Sequence, residues 1–310
     1  MGTVLFVLVL NFFMFRILPG DPERVLLRDS RASPSVLDEV RAEMGLDRPL
    51  GAQFVDYIGD TFRGELGLSY LSSQPVKEVI GSAVWPTILL LGVATVGATG
   101  IGIALGTYGG WRRGTAKDTT TLGFSLVTYA MPEFWLGMLL LLLFSVTLGW
   151  LPTSFMSTPG LSEAPLSTQF WDTLRHLFLP AITLILALLG EYALIMRSSV
   201  IEVMNEDFVT TARAKGMREA LVLRKHVVPN ALLPVVTLAA LNLGFIVSGA
   251  ITVETVFSWP GLGSLTYDAI NANDYPLLQG LFLLFSAAVI FANLAADLLL
   301  GVLDPRVGRA

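Results

Sequence analysis

Six continuous apolar windows constrain this chain more than any other feature; they lie near residues 3–18, 86–110, 119–147, 177–197, 231–253 and 278–303. A helix crossing a bilayer needs roughly 20 residues at 1.5 Å each. Of 310 residues, 53% are apolar and 15% charged, where a soluble domain averages about 25% charged, and the charges collect between the windows. A soluble core cannot absorb so many apolar runs, so the chain is expected to be an all-α polytopic membrane protein. The first window is short, because its run from Val4 to Phe15 meets Arg16 and then Leu18, Pro19 and Gly20. With no basic residue before it and no small-residue cleavage pattern after it, it fits a signal peptide poorly. A start lacking a few basic residues would account for its length.

Lys and Arg set the orientation. The 111–118 loop holds Arg112, Arg113 and Lys117, and the 197–230 loop holds Arg197, Arg213, Lys215, Arg218, Arg224 and Lys225. Arg306 and Arg309 close the chain, whereas 148–176 has only Arg175 and 254–277 has Glu254, Asp268 and Asp274 with no basic residue. Six crossings then place both termini and both basic loops in the cytoplasm. A net charge of −5 argues against nucleic acid as a partner. There is no Cys, and the two His, His176 and His226, lie far apart, which excludes a thiolate site and disfavours a metal or catalytic cluster.

The chain divides into a first span (1–18), an external segment (19–85) and a five-helix core (86–310) that includes a cytoplasmic loop at 198–230. The external segment predicts three helices on the outer membrane surface. The first opens at Ser33 and Pro34 and closes at Gly45; the second opens at Asp47 and Pro49 and ends at Gly64. The third, Val76 to Val84, leads into Pro86 at the head of the second span.

Two spans carry small residues at four-residue intervals: Ala98, Gly102, Gly106 and Gly110 in the second, and Ala240, Gly244, Ser248 and Thr252 in the fifth. Such stripes let backbones approach in lipid, as tight packing or as a surface on which helices slide. Ionisable groups at membrane depth are Glu133, Glu191 and Asp297, with Arg197 near a boundary. Each is costly in hydrocarbon. Glu191 is the deepest and reads either as a structural partner for another helix or as functional.

Between the fourth and fifth spans, about thirty-five residues form more than a connector. Asp207 is placed to cap a helix through Phe208, Thr211, Ala212 and Lys215, with Thr210, Thr211, Ala212 and Ala214 as a small exposed face and Arg213 among them. Gly216 permits a sharp turn. A second helix, Arg218 to Val227, is expected to end at Pro229, thirteen residues after Gly216. Small residues let a helix seat deeply in a groove of another protein; an amphipathic loop on anionic lipid is the competing reading.

In order along the chain stand Leu18 to Pro22, Gly45 to Pro49, Gly64 to Ser69, Pro86 to Leu89, Met131 to Trp135, Leu151-Pro152, Arg197-Ser198, Asp207 to Gly216, His226 to Asn230, Gly249, Glu254, Phe257, Pro260 to Gly263, Asp274 to Pro276, Asn293, Asp297 and Asp304 to Arg306. In this set and order the chain resembles the membrane-spanning permease subunit of ABC importers of the dipeptide/oligopeptide/nickel type. Thr210-Thr211-Ala212 stands where the wider superfamily often has Glu-Ala-Ala, which is similar to the peptide branch.

That resemblance implies six transmembrane helices of the type I importer kind in a prokaryotic cell membrane. It also implies two ATPase subunits, a second homologous permease and an external substrate-binding protein. No Gly-x-x-x-x-Gly-Lys-Ser/Thr stretch occurs, so ATP and Mg would be bound by the ATPases, with no cofactor, catalytic residue or metal on this chain. The 205–229 loop would couple to the ATPase. Met131, Trp135, Asn242 and Ser248 are candidates to line the pathway, and Glu191 and Asp297 are candidate buried polar groups. Peptides lead as substrate, ahead of nickel or another small solute. An ion-coupled carrier, which would need a carboxylate relay and usually an inverted repeat, and a non-transporting scaffold remain as alternatives.

Overall fold

The computed structural model describes residues 2–17, 48–246 and 250–303. The helix expected from Ser33 to Gly45 lies outside them. Twelve α-helices carry the description: α1 (Gly2–Ile17), α2 (Leu50–Arg63), α3 (Val76–Trp111), α4 (Ala116–Ala130), α5 (Glu133–Leu140), α6 (Leu166–Val203), α7 (Asp207–Ala214), α8 (Glu219–Val222), α9 (Val228–Ile246), α10 (Ile251–Val256), α11 (Leu262–Asn271) and α12 (Tyr275–Leu303).

Proline punctuates this order. Pro49, Pro75, Pro132 and Pro165 each stand immediately before a helix, with φ near −55° to −60° and an extended ψ. Their missing N–H costs nothing where no helical acceptor exists. α2 follows the expected pattern, closing at Gly64 with φ 74°.

Among the described residues four helices are long and apolar enough to cross a membrane, a bent pair makes a fifth, and α1 with its 16 residues is shorter. Several expected boundaries are corrected. The helix from Val76 does not stop before Pro86 but runs on for 36 residues, about 54 Å at 1.5 Å per residue. Pro86 is tolerated inside it, and its carbonyl accepts the Trp259 indole N–H at 2.9 Å. α6 is also longer than its window, with 38 residues, and absorbs much of what read as the 148–176 loop.

The window 119–147 is no single straight span. α4 and α5, the latter continued by π-helical turns over Leu141–Thr147, meet at 99° around Met131 and Pro132. Proline pushes the preceding residue out of the helical region, and Met131 has ψ 131°. The window 231–253 is likewise divided, because Ala250, with φ −102° and ψ 77°, is not helical and Thr252 belongs to α10. The stripe Ala240, Gly244, Ser248, Thr252 is therefore not one helix face; Ser248 lies outside the described residues.

α3 and α6 form the centre. The glycine stripe of α3 packs against α6 so closely that a Cβ on Gly102 would stand 2.5 Å from the Tyr192 Cβ, and one on Gly110 would stand 2.9 Å from the Arg197 carbonyl oxygen. The stripe of α3 is thus a site of tight helix packing. Two buried clusters follow along this pair. Leu90, Leu91, Ala94, Leu179, Leu184, Phe257 and Trp259 fill one end; Tyr192, Met196, Val200, Val209, Val222, Val227 and Val235 fill the basic end.

Candidate functional site

The loop after α6 folds as a helix, a turn and a second helix, but its details differ from the sequence reading. Glu206, not Asp207, is the residue before the first helical turn, with ψ 146° and no side-chain cap. Gly216 has φ 77°, and its N–H reaches the Arg213 carbonyl at 2.9 Å while the Met217 N–H reaches that of Ala212 at 3.3 Å. Pro229 does not end the second helix. α8 passes through π-helical turns over Leu223–Val227 directly into α9. The wider turns before Pro229 remove the clash its ring would make with the carbonyl four residues back.

Burial divides α7 into two faces. Val209 and Ala212 are buried in the same cluster as Val222, Val227, Met196 and Val200. Ala212 was expected on the exposed face and is instead turned into the bundle. Asp207, Phe208, Thr210, Thr211, Ala214, Lys215 and Gly216 are exposed, and Arg213 is half-buried. The Thr211 hydroxyl donates to the Asp207 carbonyl at 2.9 Å, leaving its methyl group as the outward bulk. An exposed face of Thr210, Thr211 and Ala214 is therefore low, with Phe208 standing at 41% exposure near its start.

α7 is held firmly. Burying Val209 alone contributes roughly 1.5–3 kcal/mol. The Arg213 guanidinium donates to both Glu219 oxygens, at 3.1 and 3.3 Å, and lies 5.7 Å from the centre of the Trp111 ring at the end of α3. One residue thus ties α7 to α8 and to α3. Close by, the Arg197 guanidinium donates to both oxygens of buried Asp118, at 2.6 and 2.9 Å, joining α6 to the start of α4. Packed side chains and the Arg213–Glu219 pair thus connect α7 to α3, α6 and α8.

Sequence reasoning missed Asp118 and Thr87. Asp118 follows Thr115, whose hydroxyl caps its N–H, and Asp118 also accepts from the Gly114 N–H at 2.9 Å. Thr87 donates to buried Glu254 at 3.0 Å and accepts from the Leu262 N–H at 2.7 Å, while Glu254 also accepts from the Ser264 N–H at 2.9 Å. This knot fixes α10 and α11 to α3 at the end opposite the basic loops. There, too, Asp274 accepts from the Ser69 hydroxyl at 2.6 Å and the Leu71 N–H at 3.0 Å.

The remaining candidates are not gathered into one constellation. Met131 is half-buried at the bend, and Trp135 is exposed on α5. The Asn242 amide donates to the Tyr192 hydroxyl at 2.9 Å, linking α9 to α6. Glu133 accepts from the Thr252 hydroxyl. Glu191 is half-buried on α6, while the Asp297 side chain lies outside the described residues.

Comparison with known proteins gives consistent matches. Residues 98–309 match the family described as binding-protein-dependent transport system inner membrane component, and residues 1–90 match its N-terminal companion. The di/tripeptide transport system permease DppB of Pseudomonas aeruginosa is 38% identical, over 97% of this chain and 94% of that one. The glutathione transport system permease GsiC of Pectobacterium atrosepticum is 40% identical, over 98% and 94%. The dipeptide permease DppB of Escherichia coli is 38% identical, over 98% and 95%. An inward-facing structure of the MetNI methionine ABC transporter matches 73% of this chain and 96% of its own at TM-score 0.57 and 16% identity, a likeness of fold.

Proposed function

Since this chain belongs to the binding-protein-dependent transport system inner membrane component family, we propose that it is the permease subunit of an ATP-driven importer of small peptides. It forms half of a translocation pathway in a prokaryotic cell membrane. Its relatives are named for di- and tripeptides, dipeptides and glutathione, all short peptides, which supports that cargo class.

The observation that carries the reading is α7. A short helix with a low outer face, closed by a left-handed glycine and wedged against α3, α6 and α9, is a means of passing a partner's movement into a membrane bundle. In this reading two ATPase subunits bind ATP and Mg and grip Asp207 to Gly216, and a second homologous permease completes the pathway. An external binding protein delivers cargo at the Glu254 and Asp274 end. The chain itself hydrolyses nothing, and both termini lie in the cytoplasm with the basic loops. Pathway opening is a population shift, driven because the ATPase's nucleotide state favours one conformation.

The test is uptake of a labelled di- or tripeptide into proteoliposomes holding the assembled complex with ATP inside or outside the vesicle. Uptake that needs ATP on the α7 side and the binding protein on the other supports the proposal. Uptake that persists without ATP and collapses with the proton gradient rejects it.

A further inference from the structure

Glu191 is the one carboxylate within the apolar stretch of α6, and among the described residues it takes part in no hydrogen bond and no ion pair. It sits six residues, about 9 Å along the axis, from Arg197 into the apolar stretch of α6. At the level of Glu191 the other sides of α6 are covered. Leu189, Tyr192, Ala193 and Met196 are buried against α3, and Gly190 is in close approach to Ser125 and Tyr129 of α4. Tyr192 also meets Asn242 of α9. What remains is a strip of Ala187, Glu191 and Leu194, all half-buried, running to exposed Ser198. At 100° per residue these four fall on one side of the helix.

A carboxylate on an uncovered helix face at membrane depth does not rest against hydrocarbon; such groups face water, a cavity or protein. The Ala187–Ser198 strip is therefore turned toward water or protein and not toward lipid. A peptide with a free amino terminus carries an ammonium group near neutral pH, and no Lys, Arg or His of the described chain occupies Glu191. We infer that Glu191 lines the translocation pathway and takes the amino-terminal ammonium of the passing peptide. The inference rests on the peptide-permease reading and deepens it by naming which end of the cargo this subunit recognises.

The experiment uses the assembled complex in proteoliposomes. The chain has no Cys, so Glu191→Cys gives this subunit a single thiol. A membrane-impermeant cationic thiosulfonate is expected to label that thiol in at least one nucleotide state, and excess peptide to slow the labelling severalfold. In parallel, Glu191→Gln is compared with the unmutated chain on one dipeptide and on its N-acetylated form. Selection by the binding protein is common to both chains and cancels in the cycle. Glu191→Gln is expected to lower uptake of the free-amine peptide about tenfold, the size of one charge-assisted hydrogen bond. It should change uptake of the acetylated peptide less than twofold, and Glu191→Asp should restore most of the difference.

A thiol that stays unlabelled in every nucleotide state overturns the inference. So does a Glu191→Gln complex that imports both peptides as the unmutated one does, or loses both equally, which would assign Glu191 to a cation of the second permease. If the unmutated complex imports no peptide, the parent reading fails and takes this one with it.

Discussion

Asp118 is buried at the start of a helix, and the two bonds from Arg197 make that position tolerable. Removing the cation alone leaves a buried charge without a partner, so Arg197→Ala is expected to cost about 3 kcal/mol. The measurement is thermal unfolding in detergent, where the double change with Asp118→Ala should recover part of the loss; equal melting temperatures for all forms would contradict it. Gly216 presents a different constraint. Its φ of 77° strains any residue with a Cβ by roughly 1–2 kcal/mol, and no atom crowds the site. Gly216→Val should therefore insert and fold while ATP hydrolysis loses its tie to uptake, and a variant with normal uptake per ATP rejects that role. Gly216 was readable from the sequence because a turn glycine is a local signal. Asp118 was not, since its partner lies 79 positions away.

Helices in this protein meet through what they lack. Along α3, Gly106 and Gly110 allow the backbone of α6 to approach, whereas Gly100 on the same helix has nothing within 4 Å of a would-be Cβ. Gly106→Val should separate α3 from α6 and lower the yield of folded protein, at a cost of about 1–3 kcal/mol, while Gly100→Val should express normally; equal behaviour in fluorescence-detected size exclusion would refute the packing account. The same contrast exists on α7. Thr211→Trp, on its exposed side, should abolish co-purification of the ATPase and leave the permease's melting unchanged. Ala212→Trp, on its buried side, should destabilise the permease itself, and identical effects of the two would deny that α7 has a docking face. The positions of most long apolar helices and this helix–glycine–helix element were legible in the hydropathy and turn residues. The inward turn of Ala212 was not, because it depends on Val222 and Val227 packing back across the Gly216 turn. The bend at Pro132 and the unbroken passage through Pro229 show why. A proline signals local restriction, and the neighbouring turn geometry decides between a corner and a continuous helix.

Taken together, the bundle is fastened at both ends and drawn tight between them. Glu254, Thr87 and Trp259 join α10 and α11 to α3 at one end, Asp274 ties the Ser69 turn to α12 nearby, and Arg197 and Arg213 link α3, α4, α6, α7 and α8 at the other. Between these ends the glycine face of α3 leaves little room for independent motion of α6. Displacement imposed on α7 should thus move the bundle as one body. Composition made the membrane and the basic end evident, but the fastenings join residues far apart in sequence and carry no local signature. The proposed coupling requires a cytosolic ATPase to grip α7. Because the chain has no Cys, Thr211→Cys places one thiol on that exposed face, and a short bifunctional thiol cross-linker can be applied to the assembled complex. A cross-linked band containing this chain and the ATPase subunit, with its yield changing between the nucleotide-free and ATP-bound states, is the predicted result. A thiol at position 211 that joins to no ATPase in any nucleotide state, or that a membrane-impermeant reagent reaches from outside intact cells, contradicts it.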